Sequence, residues 1–206
     1  DATDANPEQP TTDVVTDTVP PDVKHVLVYG DSQAVVVGAG LVEWAATSQE
    51  YSVEVIGIRG CPGLLFEGWA TRFDQGESGD SWPAYMEGCR LPSLPELIAE
   101  TPPDIILIAE WGTATLDFLS PTTGEWTSVL DREVREAWSD RYTRLLTVAE
   151  AEAISVGFLT GPPCGRVAPC SEDGRIEAYN AVLSSAGLPV LDLQEIFASA
   201  PDRYPT

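Results

Sequence analysis

Gly30-Asp31-Ser32 follows directly on Val26-Leu27-Val28-Tyr29, an apolar run rich in β-branched residues, and a second apolar segment begins after Gln33. The pattern predicts a strand, a tight turn and a helix start. A serine at that junction stands at the carboxyl end of a strand, where open α/β sheets collect their ligands, with its own N–H at a helix N-terminus. It is placed to attack a carbonyl carbon, given a base to take its proton. The plainer reading makes Asp31 and Ser32 helix caps, since both residue types are favoured there. Two further turns carry chemistry toward the same edge. Arg59-Gly60-Cys61-Pro62-Gly63 follows a second apolar run, and its glycines could aim backbone N–H groups into a site or simply make a loop. Glu110-Trp111-Gly112-Thr113 follows Asp104–Ala109, the most apolar run of the chain. Glu110 is a candidate acid or base, or else a charged rim residue.

These turns need a sheet to hold them. Strands are expected at His25–Tyr29, Ser52–Ile58, Asp104–Ala109, Ile154–Thr160 and Leu188–Leu193. Helices are expected at Val35–Thr47, Leu94–Glu100, Asp131–Ala153 and Arg175–Ala186. Within the third, Val134, Trp138, Tyr142, Leu145, Val148 and Ala149 recur at helical spacing and mark a covering face. Gly38 and Gly40 weaken the first helix but permit close packing on the sheet. Strand and helix alternate, which implies an α/β fold: a three-layer α/β/α sandwich with a five-stranded parallel sheet, the Asp104–Ala109 strand at its centre. Leu64–Leu91 is expected to be a packed loop near the site, since Trp69, Phe73, Trp82 and Tyr85 make it too aromatic for a free linker. Those rings could stack on a sugar or only pack. Thr115–Val129 is expected to be a loop.

The chain has 206 residues, enough for one α/β domain over 23–206 preceded by a linker at 1–22. That linker is rich in Thr, Pro, Asp and Val, lacks aromatics, and reads as disordered. A start inside such a linker suggests a larger protein, with a membrane anchor upstream. There are 33 acidic against 11 basic residues, a formal charge of −22. Such a surface repels phosphate backbones and anionic lipid, so nucleic acid is not an expected partner. Cys61, Cys89, Cys164 and Cys170 lack the paired short spacings of a zinc site. Each pair lies within one loop region, which favours Cys61–Cys89 and Cys164–Cys170 disulfides and an oxidising compartment.

With these residues in place the chain resembles the SGNH or GDSL hydrolases. In particular it is similar to the extracytoplasmic SGNH domain of acyltransferase-3-type membrane proteins that O-acetylate surface glycans. The matching features are Gly30-Asp31-Ser32-Gln33-Ala34, Gly60-Cys61-Pro62, the Trp111 turn, and Ala178-Tyr179-Asn180-Ala181-Val182-Leu183. The resemblance implies a flavodoxin-like SGNH fold with Ser32 as nucleophile. It makes the N–H groups of Ser32 and Gly60 the oxyanion donors, with Asp31, Gln33, Cys61, Glu110, Trp111 and Gly112 lining the site. It further implies an acetylated sugar or glycan as substrate, an upstream membrane acyltransferase domain, an extracytoplasmic or cell-surface location, and no metal or organic cofactor.

Two departures stand out. Trp111 occupies the region where many members place an oxyanion-binding Asn, and the family's Asp-x-x-His base has no counterpart. The only histidine, His25, begins the strand that ends near Ser32, and the two are expected roughly 15–20 Å apart. Asp192 and Asp202 are no better: the first is expected to cap a strand end and the second lies in a polar terminal turn. The sequence is therefore expected to be truncated before the base and nearly inert as an esterase or O-acetyltransferase. A non-catalytic glycan-binding or scaffolding domain is the alternative. A flavodoxin-like nucleotide-binding module fits less well, because no phosphate-loop spacing is present.

Overall fold

A computed structural model describes residues 23–57, 69–72, 91–162, 174–193 and 195. Five strands form one parallel sheet: β1 Lys24–Gly30, β2 Tyr51–Gly57, β4 Ile105–Ala109, β7 Ser155–Leu159 and β8 Val190–Leu191, in the order β2-β1-β4-β7-β8. β4 is the middle strand, as its composition predicts. Val26 to Gly30 are all buried although successive side chains point to opposite faces, so both faces of the sheet are covered. The helix α1, Ser32–Ser48, packs against β1, β2 and β4. The helices α4, Arg132–Ala151, and α5, Arg175–Ser185, pack on each other, with α4 also against β7. The architecture is a three-layer α/β/α fold. α2, Leu94–Glu100, begins at Ser93, whose hydroxyl accepts the Glu96 N–H.

Four expectations about elements require correction. α1 begins at Ser32 rather than Val35, because the Asp31 side chain caps it by accepting the Gln33 N–H at 2.8 Å. Val148 is 40 % exposed and off the covered face of α4, which is carried by Val134, Trp138, Tyr142, Leu145 and Ala149. The last strand shrinks to Val190–Leu191. The fourth correction is larger: Thr115–Val129 holds β5 Asp117–Leu119 and β6 Trp126–Ser128, which join β3 Ala70–Arg72 in a small antiparallel sheet ordered β3-β5-β6. Three-residue strands are too short to leave a period in the sequence. The turn between β5 and β6 closes on Ser120, whose oxygen accepts the Thr122 and Thr123 N–H groups while its hydroxyl donates to Glu133 on α4.

The core between the sheet and α4 and α5 is aromatic. Trp138 contacts Phe118, Tyr142 and Tyr179, and Tyr142 contacts Phe158, with ring centroids 4.6 to 6.4 Å apart. Trp69 reaches the same cluster through Phe118 at 6.4 Å, so this part of the aromatic excursion does pack. Phe73, Trp82 and Tyr85, the linker at 1–22, and all four cysteines with their expected disulfides lie outside the described residues. Among the described residues no helix is long and apolar enough to cross a membrane.

Candidate active site at the carboxyl edge of the sheet

β1 and β4 run side by side and pair Gly30 with Ala109, so the turns that follow them emerge next to each other. The approach is close. Gly30 has φ +154°, and a Cβ on it would lie 2.1 Å from the Ala109 carbonyl oxygen, so only glycine ends this strand without moving its neighbour. The chain then turns inward, and Asp31 donates its N–H to Ala109 O at 3.3 Å. Its side chain is buried. One carboxylate oxygen accepts Gln33 N–H, while the other accepts both the N–H of Thr113, at 2.6 Å, and its hydroxyl, at 2.9 Å.

Thr113 belongs to α3, the single helical turn Trp111–Ala114 that follows β4. Asp31 is therefore the cap of α1 and also the tie between the two turns. Ser32 is the first residue of α1, half-buried, and its hydroxyl has no hydrogen bond to a described residue. The capping role considered for both residues falls to Asp31 alone. The Ser32 N–H lies in the first helical turn, where N–H groups have no intrahelical acceptor. An N–H without an intrahelical acceptor is the kind of donor an oxyanion site uses.

Glu110 differs from either expected role, since it is neither at the rim nor open to substrate: it is wholly buried. One of its oxygens accepts from Tyr142 OH at 3.3 Å, and that hydroxyl is 3.3 Å from Tyr179 OH. The other has no hydrogen-bond partner among the described residues. Burial, then the nearby Asp31 carboxylate, push Glu110 well above the usual carboxylate range, against an opposing pull from Arg141. Asp31 is pushed up to about 6 by burial, with the hydrogen bonds from Gln33, Thr113 and Gly112 opposing the rise. The same burial pushes the Tyr29, Tyr142 and Tyr179 hydroxyls well up.

Of the expected lining residues, Gln33 and Gly112 are half-buried at the edge. Asp31, Glu110 and Trp111 are buried beneath it, Glu110 completely. The Trp111 side chain packs in the core. Gly60 and Cys61 lie outside the described residues. His25 stands at the opposite end of β1, its N–H bonded to Asp104 and its ring 3.3 Å from Glu54, so it is remote from Ser32 as expected. Asp192 is occupied by Thr160 Oγ1 and the Glu195 N–H. Asp202 falls outside the described residues. Among the described residues no group of three or more His, Cys, Asp or Glu side chains is placed to hold a metal ion.

Four contributors carry little signal in the sequence. Thr113 carried no signal beyond its nearness to Glu110. Tyr142 reads as a helix-face core residue and Tyr179 only as part of the Ala178–Leu183 motif, and the hydroxyl of Tyr142 that reaches Glu110 leaves no trace in spacing. Asn180 was recognised only as part of a motif. Its amide accepts Gly161 N–H at 2.8 Å and donates to Gly161 O at 3.1 Å, which fixes the turn leaving β7.

No family model matches the sequence, and no curated protein matches it. Among solved structures, the chain is similar to an acetyl xylan esterase at 13% identity and a TM-score of 0.41, covering 87% of this chain and 82% of that one. A second solved structure matches at 12% identity and a TM-score of 0.39, covering 84% and 79%. Likeness that loose carries no information about activity.

Proposed function

We propose that the chain is an SGNH-type serine esterase or O-acetyltransferase domain, acting on an acetylated surface glycan through an acetyl-Ser32 intermediate. The observation that carries the reading is the unengaged Ser32 hydroxyl at the head of α1, beside its own N–H, while Asp31 does the capping. In the reaction Ser32 Oγ bonds to the acetyl carbonyl carbon and its proton passes to a base. The ester bond to the sugar breaks, and the sugar oxygen leaves with a proton. Water or a second sugar hydroxyl then takes the acetyl group and restores the serine. The same intermediate serves hydrolysis and transfer. The physical setting that suits it is extracytoplasmic, with the cysteines paired and a membrane acyltransferase domain upstream as acyl donor.

A base is still required, and His25 is at the wrong end of β1. Loss of the base from a serine–imidazole unit leaves only the contribution of binding and the oxyanion donors. The 206-residue chain is therefore expected to turn over acetyl esters poorly, and a longer chain carrying Asp-x-x-His to do so well. The position of His25 also favours a second reading, a glycan-binding or scaffolding domain that uses the fold without the chemistry. The test compares hydrolysis of an activated acetyl ester by the short chain, the longer chain and its Ser32→Ala variant. Turnover only in the longer chain, lost with Ser32→Ala, supports the proposal. Equal rates in all three refute the nucleophile, and glycan binding without Ser32-dependent turnover supports the second reading.

A further inference from the structure

We infer that Thr113 is a positioning residue for Ser32: through Asp31 it ties the turn that carries the serine to the turn that ends β4. The inference rests on the reading of Ser32 as nucleophile. Its basis is geometric. Thr113 gives two donors to one oxygen of Asp31, at 2.6 and 2.9 Å, and the other oxygen holds Gln33 N–H, the residue after the serine. The carboxyl group is tightly enclosed. A Cβ on Gly112 would lie 2.9 Å from its Oδ2 and 3.4 Å from its Oδ1.

Three donors converge on two oxygens, an arrangement that suits a carboxylate. Protonation would remove the negative charge from the acceptor and weaken all three charge-assisted bonds, so the tie is strongest in the ionised form. The titratable groups that feel the Asp31 charge are Glu110 at the end of β4 and Tyr179 on α5, while Tyr29 on β1 and Arg141 and Tyr142 on α4 act on Glu110. None of them donates a hydrogen bond to Asp31. Gln33, Thr113 and Gly112 oppose the effect of burial, with the Thr113 hydroxyl the only side chain among them.

Thr113→Val keeps the shape and the N–H but removes the hydroxyl, whereas Thr113→Ser restores it. The test is a pH titration of the backbone amides of the whole 206-residue chain by nuclear magnetic resonance. Ser32, Gln33 and Thr113 amides are expected to share one step near pH 6. Losing one charge-assisted hydrogen bond should move that step up by about one pH unit in Thr113→Val. Thr113→Ser should return it, and Asp31→Asn should erase it. An ordinary carboxylate midpoint in the wild type, an unmoved step in Thr113→Val, or a Ser32 amide that ignores the step would each overturn the inference. If Thr113→Val does not fold, the wild-type titration and Asp31→Asn still decide. Ser32→Ala leaves this titration intact, so failure of the nucleophile and failure of the tie are read separately.

Discussion

Asp31 has lost nearly all contact with water and gained three donors, and the balance leaves its carboxyl at about 6 instead of 3.8. A folded-state value above the unfolded one means that the folded chain holds the proton more tightly. Its contribution is therefore fully present below the unfolded value and is lost as the pH rises through about 6. The gap of about two pH units corresponds to about 3 kcal/mol. Glu110 acts in the same direction, since burial favours its protonated form more in the fold than in the unfolded chain. Glu110→Gln keeps the shape and removes the proton. The variant should gain stability relative to the wild type by up to about 1.4 kcal/mol for each pH unit above the ordinary glutamate range. Urea unfolding of both proteins from pH 5 to 8 checks this, and a difference that stays flat with pH would show that Glu110 is charged in the fold. The sequence placed Glu110 at the correct edge, because a strand delivers its successor there. Its depth was not legible, because burial here is imposed by Tyr142 and Tyr179, which are brought in from α4 and α5.

At the scale of the element, α1 shows what a helix start must do when its first residue has to stay free. The cap is supplied by the preceding residue, Asp31, and the helix runs on to Ser48 with Gln49 in a left-handed conformation. Its two interior glycines, alike in sequence, have different reasons. Gly38 sits where a Cβ would lie 2.5 Å from a methyl of Val55 on β2, so it sets the helix-to-sheet distance, whereas a Cβ on Gly40 would meet nothing. Gly38→Ala should destabilise by about 1–3 kcal/mol through overpacking. Gly40→Ala should stabilise by about 0.5–1 kcal/mol, because alanine restricts the unfolded chain at no steric cost. Urea midpoints with opposite signs are the expected result, and two losses of equal size would contradict the packing role assigned to Gly38. The main strands and helices were legible because their apolar residues run long enough to show a period. β5 and β6 were not, since at three residues each they leave no period, and the pairing of β5 with β3, more than forty residues away in the chain, is a tertiary event.

Across the whole molecule, the parallel order β2-β1-β4-β7-β8 brings the ends of β1 and β4 together at the centre of one edge. The turn leaving β7 is fixed by Asn180, and Arg175 at the start of α5 bonds Thr115 O and Asp117 beyond α3. The edge is thus built from four separate stretches of chain that converge only in the fold. The strand-ending turns were readable one by one, whereas the hydrogen bonds that join them, Asp31 to Thr113 above all, follow from strand order and have no signature in sequence.

The central claim is that this assembly presents Ser32 as a nucleophile. An activated acetyl ester carries a good leaving group and acylates a serine slowly with little help from a base. Water must be activated to attack the acyl-serine, so with His25 at the far end of β1 the acyl group should persist. The direct measurement is peptide mass mapping after incubation of the 206-residue chain with an activated acetyl ester. One acetyl group accumulating on Ser32, and absent from the corresponding peptide of Ser32→Ala, is the predicted result. Acetylation confined to lysines and the amino terminus, with Ser32 unmodified, would contradict it.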